Sequence, residues 1–148
     1  MLNSNHVGLG SMGYGMAANI RKKLSSDSTI NIYDVNTSIC ERFEQEFNSF
    51  GKIRIMGAPK ELAQKSRCII SIVPSAAIVR DIFLNYVNGV ISADKNPERL
   101  ILECSTIDSA TAREIGVKIA ESEHGVYIDS PVSVSALSKP LRILADGG

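Results

Sequence analysis

Hydrophobic and polar positions along the chain follow two alternating periods. Between Met12 and Leu24, apolar residues recur at every fourth position, which is typical of a helix with one buried stripe. Residues 29–33 instead alternate between apolar and polar, which is typical of a strand. The same change of period repeats along the sequence, and it predicts six strands at residues 2–7, 29–33, 53–56, 68–73, 100–104 and 126–129, with helices between them.

This order of strands and helices predicts the class of fold. Strands that alternate with helices form right-handed β-α-β crossovers and a parallel sheet. Residues 68–73 and 100–104 are apolar at nearly every position, as expected of central strands covered on both faces. The first strand fits this pattern poorly, because Asn3, Ser4, Asn5 and His6 are polar. We expect an α/β fold with a doubly wound, mostly parallel sheet.

Several helix starts are also readable from the sequence. Ser38 and Glu41 match a capping box before the second helix. Pro59 suits the first turn of the third helix. Asp108 suits the N-cap of the last predicted helix.

Residues 8–13 read G-x-G-x-x-G between the first strand and the first helix. In such a motif Gly8 permits a tight turn, Gly10 lets a pyrophosphate approach the backbone, and Gly13 lets helix and strand pack closely. Backbone N–H groups at the start of the helix would then face the phosphates. Glycine clusters also make ordinary turns, so the motif gains weight only from its place after a strand.

Asp34 ends the second predicted strand at the spacing expected of a ribose ligand, about 20 residues after the glycines. Its carboxylate would bind a ribose 2′-hydroxyl and repel a 2′-phosphate. Val35 and Asn36 follow, so no arginine is placed to receive such a phosphate. The pattern favours NAD over NADP. The alternative is that Asp34 only opens a turn or caps the next helix.

Composition excludes several classes of function. The 148 residues include 16 basic and 16 acidic side chains, so net charge gives no reason to expect nucleic acid or an anionic membrane as a partner. No apolar run approaches the ~20 residues of a membrane span. Cys40, Cys68 and Cys104 are widely spaced and odd in number, which argues against a disulfide framework and against a zinc site. We expect free thiols, no metal and an intracellular protein.

Four segments in order, residues 8–20, 70–75, 103–108 and 129–133, resemble the β-hydroxyacid dehydrogenases. That family includes 3-hydroxyisobutyrate dehydrogenase and the related 6-phosphogluconate dehydrogenases. The resemblance implies a Rossmann dinucleotide-binding domain over residues 1–130. Residues 131–148 would be a divergent substrate loop and tail of the same domain.

The resemblance implies a role for each motif. Pyrophosphate would be held by the backbone of Gly8, Leu9, Gly10, Ser11, Met12 and Gly13. Asp34 would bind the adenosine ribose. Val73 and Pro74 would line the path of the cofactor, and Thr106 would lie near the nicotinamide. Ser133 would help to hold the substrate carboxylate.

Each of these roles has a purely structural alternative. Val73 and Pro74 could form only the end of a strand, and Ser105 and Thr106 only the approach to a helix capped by Asp108. Their joint placement at strand ends favours the site.

The chain also departs from the family pattern. Val134 and Ser135 follow Ser133 where the family has two glycines, so side chains could block the approach of a carboxylate. The family's catalytic lysine lies in a helical domain that this chain does not include, and Lys139 does not match its motif. His6 and His124 are expected at the surface. We therefore expect no catalytic residue in this chain, and no turnover by the chain alone.

These observations favour the cofactor-binding domain of a 3-hydroxyisobutyrate dehydrogenase-like oxidoreductase. The resemblance implies that the complete enzyme oxidises a small β-hydroxy acid with NAD, giving methylmalonate semialdehyde from 3-hydroxyisobutyrate in valine catabolism. It also implies a mitochondrial location, although no transit peptide is visible and the cytoplasm is the alternative. Apolar surface left by a missing domain would favour self-association. Two other functions stay open: a non-catalytic nucleotide-binding module or remnant, and an S-adenosylmethionine-dependent methyltransferase.

Overall fold

The computed structural model describes residues 3–65 and 67–132. The strands are β1 (Ser4–Val7), β2 (Thr29–Tyr33), β3 (Lys52–Ile55), β4 (Cys68–Ser71), β5 (Leu100–Glu103) and β6 (Val126–Asp129). The helices are α1 (Ser11–Lys23), α2 (Thr37–Phe47), α3 (Pro59–Lys65), α4 (Ala76–Leu84) and α5 (Ser109–Glu121). All six predicted strands are therefore confirmed. Ser133 and the rest of the predicted substrate loop and tail lie outside the described residues.

The strands form one parallel sheet in the order β3-β2-β1-β4-β5-β6. The chain winds outward in one direction from β1 to β3, crosses back to β4 beside β1, and then winds in the other direction. This is the doubly wound order of dinucleotide-binding folds, and it confirms the predicted Rossmann architecture. The direction of winding changes between β1 and β4, so their carboxyl ends border the crevice where ligands bind in such sheets.

Strand β1 lies at the centre of the sheet although its sequence is polar. Asn5 and His6 are fully buried. The Asn5 amide donates to the carbonyl of Leu62 at 2.8 Å, and the Asn31 amide donates to Asn5 Oδ1 at 2.8 Å. These bonds satisfy polar groups that would otherwise destabilise a central strand. The polar strand is stable there because a neighbouring strand and helix α3 supply its hydrogen bonds.

The expectation of surface histidines was wrong. His6 is fully buried, with its Nε2 3.0 Å from the Gly8 carbonyl oxygen. His124 is also buried, with Nε2 2.9 Å from the carbonyl of Ala93 and Nδ1 2.9 Å from the Ser122 hydroxyl. Both rings are held by backbone oxygens that the folded chain brings to them, and sequence position alone does not reveal such acceptors.

Helix starts agree with the sequence at two of three positions. Pro59 is the first residue of α3, and the Asp108 carboxylate accepts the Thr111 N–H at 2.8 Å as the N-cap of α5. The capping box was wrong, because Asn36 caps α2 by accepting the N–H of Ser38 at 3.1 Å. An asparagine side chain is as effective a cap as serine, and it lies one residue before the first helical position.

The core has apolar clusters on both sides of the sheet. Helices α1 and α2 pack against β2 and β3 through Phe43 and its neighbours, whereas α3, α4 and α5 pack through Phe83 and Ile115 against the other side. Within the described residues the three cysteines form no disulfide, and Cys40 and Cys104 are buried. In residues 3–65 and 67–132 no helix is long and apolar enough to span a membrane.

Candidate functional site

A groove of about 450 Å³ opens at the carboxyl ends of β1, β2 and β4. It is lined by residues 7–13, 33–36 and 72–74, together with Ile39 of α2 and the α4 residues Ile78, Asp81 and Ile82. This is the crevice that the change in winding direction predicts for a ligand. It brings the glycine loop, Asp34, Val73 and Pro74 into one site.

Two glycines of the loop are required by the protein's own packing. Gly8 has a φ of 96°, and a Cβ there would overlap the carbonyl oxygen of Ile72. A Cβ at Gly13 would overlap the carbonyl oxygen of Gly8. Helix α1 can therefore approach β1 and β4 this closely only with glycine at both positions.

Gly10 differs from the other two, because a Cβ at this position would have no atom of residues 3–65 or 67–132 within 4 Å. Its φ is −66°, which any residue can adopt. The folded chain itself gives no reason for glycine here. The absence of a side chain keeps the backbone open to the groove, as a pyrophosphate needs.

The start of α1 is available to an anion. Gly10 is its N-cap and no side chain of the described residues caps the helix, which leaves its first amide groups for a ligand or water. Its first turn contains no acidic residue. Unpaired N–H groups and the positive end of the helix dipole together favour a bound phosphate.

Asp34 connects β2 to the glycine loop. Its Oδ2 accepts the N–H of Leu9 at 2.7 Å, and its Oδ1 accepts the N–H of Asn36 at 2.9 Å. The carboxylate therefore opens a turn, as the structural alternative held, although it does not cap α2. Each carboxylate oxygen has a second lone pair, so both can still accept a ribose hydroxyl from the groove.

Electrostatics at this end of the groove are unfavourable to an additional phosphate. Among the described residues that line the groove there is no lysine or arginine, whereas Asp34 and Asp81 are both present. A 2′-phosphate beside Asp34 would meet a like charge with no cation to offset it.

Thr106 lies outside the lining of the groove. It is exposed and follows the end of β5, one strand beyond Val73 and Pro74. A hydrogen bond between neighbouring strand ends connects the two places, because the Val73 N–H donates to the Ser105 hydroxyl at 2.8 Å. The direct contact of Thr106 with a cofactor stays a prediction.

The sequence reading missed Val35 and Glu103. Val35 is 82% exposed at the mouth of the groove, where a flat apolar ring could cover it. Glu103 is fully buried at the end of β5 and its carboxylate accepts the Ser105 N–H at 2.9 Å. Burial is the main cause that raises its pKa to about 7, and the nearby Asp129 raises it further. Two signals in the sequence could have identified them. Val35 directly follows the aspartate at the end of a strand, and Glu103 is an acidic residue inside an apolar run.

The described residues bring together no group of three or more side chains able to hold a metal ion. The Cys104 thiol is also a poor nucleophile, because burial raises its pKa to about 12.

The sequence matches the model of a protein family described as the NAD binding domain of 6-phosphogluconate dehydrogenase, over residues 5–147. The chain belongs to this family. The resemblance read from the motifs is thereby confirmed, and so is the assignment to a domain that binds a dinucleotide.

Individual relatives agree with the family. The chain is 31% identical to the mitochondrial 3-hydroxyisobutyrate dehydrogenase of Mus musculus, over 86% of this chain and 35% of the relative. It is 30% identical to an NAD-dependent L-serine dehydrogenase of Pseudomonas aeruginosa, over 86% of this chain and 39% of the relative. The crystal structure of 3-hydroxyisobutyrate dehydrogenase from Salmonella typhimurium superposes with a TM-score of 0.72 at 27% identity, covering 93% of this chain and 44% of that one. The chain thus spans little more than a third of the length of these curated relatives.

Proposed function

We propose that this chain is the cofactor-binding part of a 3-hydroxyisobutyrate dehydrogenase-like oxidoreductase that prefers NAD to NADP. The observation that carries the preference is Asp34, whose carboxylate is fixed in the groove by two backbone N–H groups without a nearby lysine or arginine in the lining. A fixed carboxylate suits two ribose hydroxyls and opposes a phosphate.

In this proposal each part of the groove holds one part of the dinucleotide. The pyrophosphate lies on residues 8–13 and the start of α1, where Gly10 leaves the backbone open. The ribose of the adenosine lies at Asp34, beside exposed Val35. Val73 and Pro74 line the path towards the nicotinamide. In this proposal the nicotinamide lies near Thr106. When bound, NAD supplies the hydride acceptor, and the protein supplies position and electrostatics.

The substrate half of the reaction is proposed from the relatives. A small β-hydroxy acid would be oxidised, as 3-hydroxyisobutyrate to methylmalonate semialdehyde, with Ser133 at the substrate carboxylate. Oxidation of an alcohol needs a group that accepts its proton. Lysine and histidine do not occur among the described residues that line the groove. We therefore expect the 148-residue chain to bind the cofactor without turning over the substrate.

A mitochondrial location is part of the same proposal, because the mouse relative carries that location in its name. Self-association is likewise proposed. Fractionation of cells that express the tagged chain tests the location. Light scattering of the purified chain tests self-association. A cytosolic or monomeric protein would contradict them.

Titration of the chain with NADH and NADPH, followed by nicotinamide fluorescence, tests the cofactor preference. The chain has no tryptophan, so its own emission interferes little. We expect NADH to bind at least about tenfold more tightly than NADPH, since a like charge beside Asp34 costs on the order of 1 kcal/mol or more near a protein surface.

Asp34→Asn is the matching variant, since an amide can still accept the N–H of Leu9 but carries no charge. Its preference for NADH over NADPH should fall to near unity. Asp27→Asn, which removes an exposed acidic charge from the loop before β2, is the control and should keep the wild-type ratio. Equal affinity of the wild type for both nucleotides would overturn the proposed preference.

Addition of 3-hydroxyisobutyrate and NAD to the same sample tests the expected lack of turnover. No increase in NADH absorbance is expected. A steady increase would show that the chain carries its own proton acceptor. Binding of S-adenosylmethionine in place of NADH would support the methyltransferase alternative, which the family match does not favour.

A further inference from the structure

The last backbone bond at the ends of β4 and β5 runs from the Cys104 N–H to the Ser71 carbonyl at 2.7 Å, and beyond it a side chain joins the two strands. The paired register of the two strands ends at Ser71 and Glu103. Two residues later, the N–H of Val73 donates to the Ser105 hydroxyl at 2.8 Å. Ser105 is itself buried, with 2% of its surface exposed. A serine hydroxyl therefore spans the gap that opens where the two strands diverge.

Glu103 fixes Ser105 in turn. The Glu103 carboxylate accepts the Ser105 N–H at 2.9 Å, and the Glu103 carbonyl accepts the N–H of Ser130 at 2.8 Å. A buried acid is costly to the fold, because burial removes water from a charged group. The folded chain retains this acid at the point where three strand ends meet.

The connected segment borders the groove. Val73 and Pro74 line it on the β4 side, and Thr106 directly follows Ser105. The Val73 N–H is used by Ser105 and proline has no N–H, so these two residues offer a ligand no backbone donor. Groups that bind beside them would be hydrogen-bond donors, such as ribose hydroxyls or a carboxamide NH₂.

We infer that Ser105, held by Glu103, is a positioning residue that fixes Val73 and Pro74 relative to Thr106 and so aligns the nicotinamide half of the bound dinucleotide. This inference rests on the proposed function. The adenosine half lies at Asp34 and the glycine loop, on the other side of β1, and is independent of the Ser105 bond. The two halves of the ligand should therefore respond differently to a change at Ser105.

The experiment compares NADH with ADP-ribose, which has the same adenosine and pyrophosphate but no nicotinamide. Ser105→Ala should weaken NADH about tenfold, because the Val73 N–H is left without its acceptor and the segment shifts. Its affinity for ADP-ribose should stay within about twofold of the wild type. Ser105→Thr keeps the hydroxyl and should restore NADH binding.

Ser92→Ala is the matched control. It removes a hydroxyl that donates to the Gly89 carbonyl at 2.6 Å, away from the groove, and should leave both affinities unchanged. Equal loss of NADH and ADP-ribose in Ser105→Ala would mean a general structural role and would overturn the inference. Wild-type affinity for NADH in that variant would overturn it as well.

Amide hydrogen exchange without nucleotide separates this inference from the proposed function. Val73 should exchange slowly in the wild type and in Ser105→Thr, and faster in Ser105→Ala. Fast exchange at Val73 in the wild type would disprove the bond itself, whatever binds. If the wild type binds neither NADH nor ADP-ribose, the proposed function fails and this inference fails with it, even if Val73 is protected.

Discussion

At the scale of single residues, burial decides the state of two titratable groups. Desolvation lowers the pKa of His6 to about 4, and it raises the pKa of Glu103 to about 7. Burial therefore favours the neutral form of both side chains at the centre of the sheet. Their effects on the pH dependence of stability have opposite signs.

For Glu103 the folded state binds the proton more tightly than the unfolded state, whose pKa is near 4.5. The stability that Glu103 contributes to the fold is fully present below pH 4.5 and is lost as the pH rises through about 7. For His6 the folded pKa is lower than the unfolded value of 6.5, so stability is lost as the pH falls from there towards 4. The two slopes offset each other over much of this range in the wild type.

Glu103→Gln should make the separate contributions visible. The amide oxygen can still accept the Ser105 N–H, but it does not titrate. We expect the free energy of unfolding of the variant, relative to the wild type, to increase by up to about 3 kcal/mol between pH 4.5 and pH 7. Urea unfolding at several pH values measures this difference.

Glu98→Gln, at an exposed position, is the control for the loss of a carboxylate. Three other titratable groups near Glu103, namely Asp129, Tyr127 and Cys104, are retained in the variant. Burial raises the pKa values of Tyr127 and Cys104, so neither group titrates between pH 4.5 and pH 7. A pH-independent difference for Glu103→Gln would show that this carboxyl does not titrate as inferred.

At the scale of an element, the two glycines at the start of α1 serve different purposes, one for packing and one for binding. Gly13 has no room for a Cβ because of the Gly8 carbonyl, whereas Gly10 has open space around it. Both glycines belong to one sequence motif. The structure distinguishes them by what surrounds each backbone.

We expect Gly13→Ala to destabilise the domain by about 2 kcal/mol, because the added methyl group forces α1 away from β1. Gly10→Ala should leave the free energy of unfolding within about 0.5 kcal/mol of the wild type but should weaken NADH binding at least tenfold. Thermal unfolding and nicotinamide fluorescence measure the two effects.

Gly15→Ala in the same helix is the comparison, since Gly15 is exposed and a Cβ there would meet none of the described part of the chain within 4 Å. It should stabilise the domain by about 0.5–1 kcal/mol through helix propensity. Unchanged NADH affinity in Gly10→Ala would remove the argument that this glycine serves a ligand.

At the scale of the whole molecule, the two ends of the parallel strands have different roles. The groove lies at the carboxyl ends of the strands, whereas two buried arginines bind backbone carbonyls at the amino ends. Arg21 donates to the carbonyls of Ser28 and Lys52 at 2.6 and 2.9 Å. Arg99 donates to the carbonyls of His124 and Ala63 at 2.8 and 3.0 Å.

Arg99→Met should therefore separate stability from binding. The variant leaves buried carbonyls without a donor, so we expect a loss of about 3 kcal/mol in the free energy of unfolding. The affinity of the folded fraction for NADH should stay within about twofold, because the carbonyls that Arg99 binds in the described chain, those of His124, Ala63 and Asp94, lie outside the groove. Chemical unfolding and a titration at low temperature measure the two quantities, and a tenfold weaker NADH affinity would disprove the separation.

The sequence by itself determined the number and order of strands along the chain and the parallel sheet. It also determined that the glycine loop and Asp34 lie at the carboxyl ends of their strands. These features follow from local periodicity and from spacing between motifs, both of which are written along the chain. The family resemblance added Val73 and Pro74, which do line the groove.

Only the tertiary structure decided which groups are buried and what they contact. Asn5 is stable in the central strand because Asn31 and Leu62 provide its partners, and neither contact is a pattern in the sequence. The bond from Val73 to Ser105 likewise joins residues of different strands. Such contacts depend on which strands are neighbours, so they arise only when the sheet has assembled.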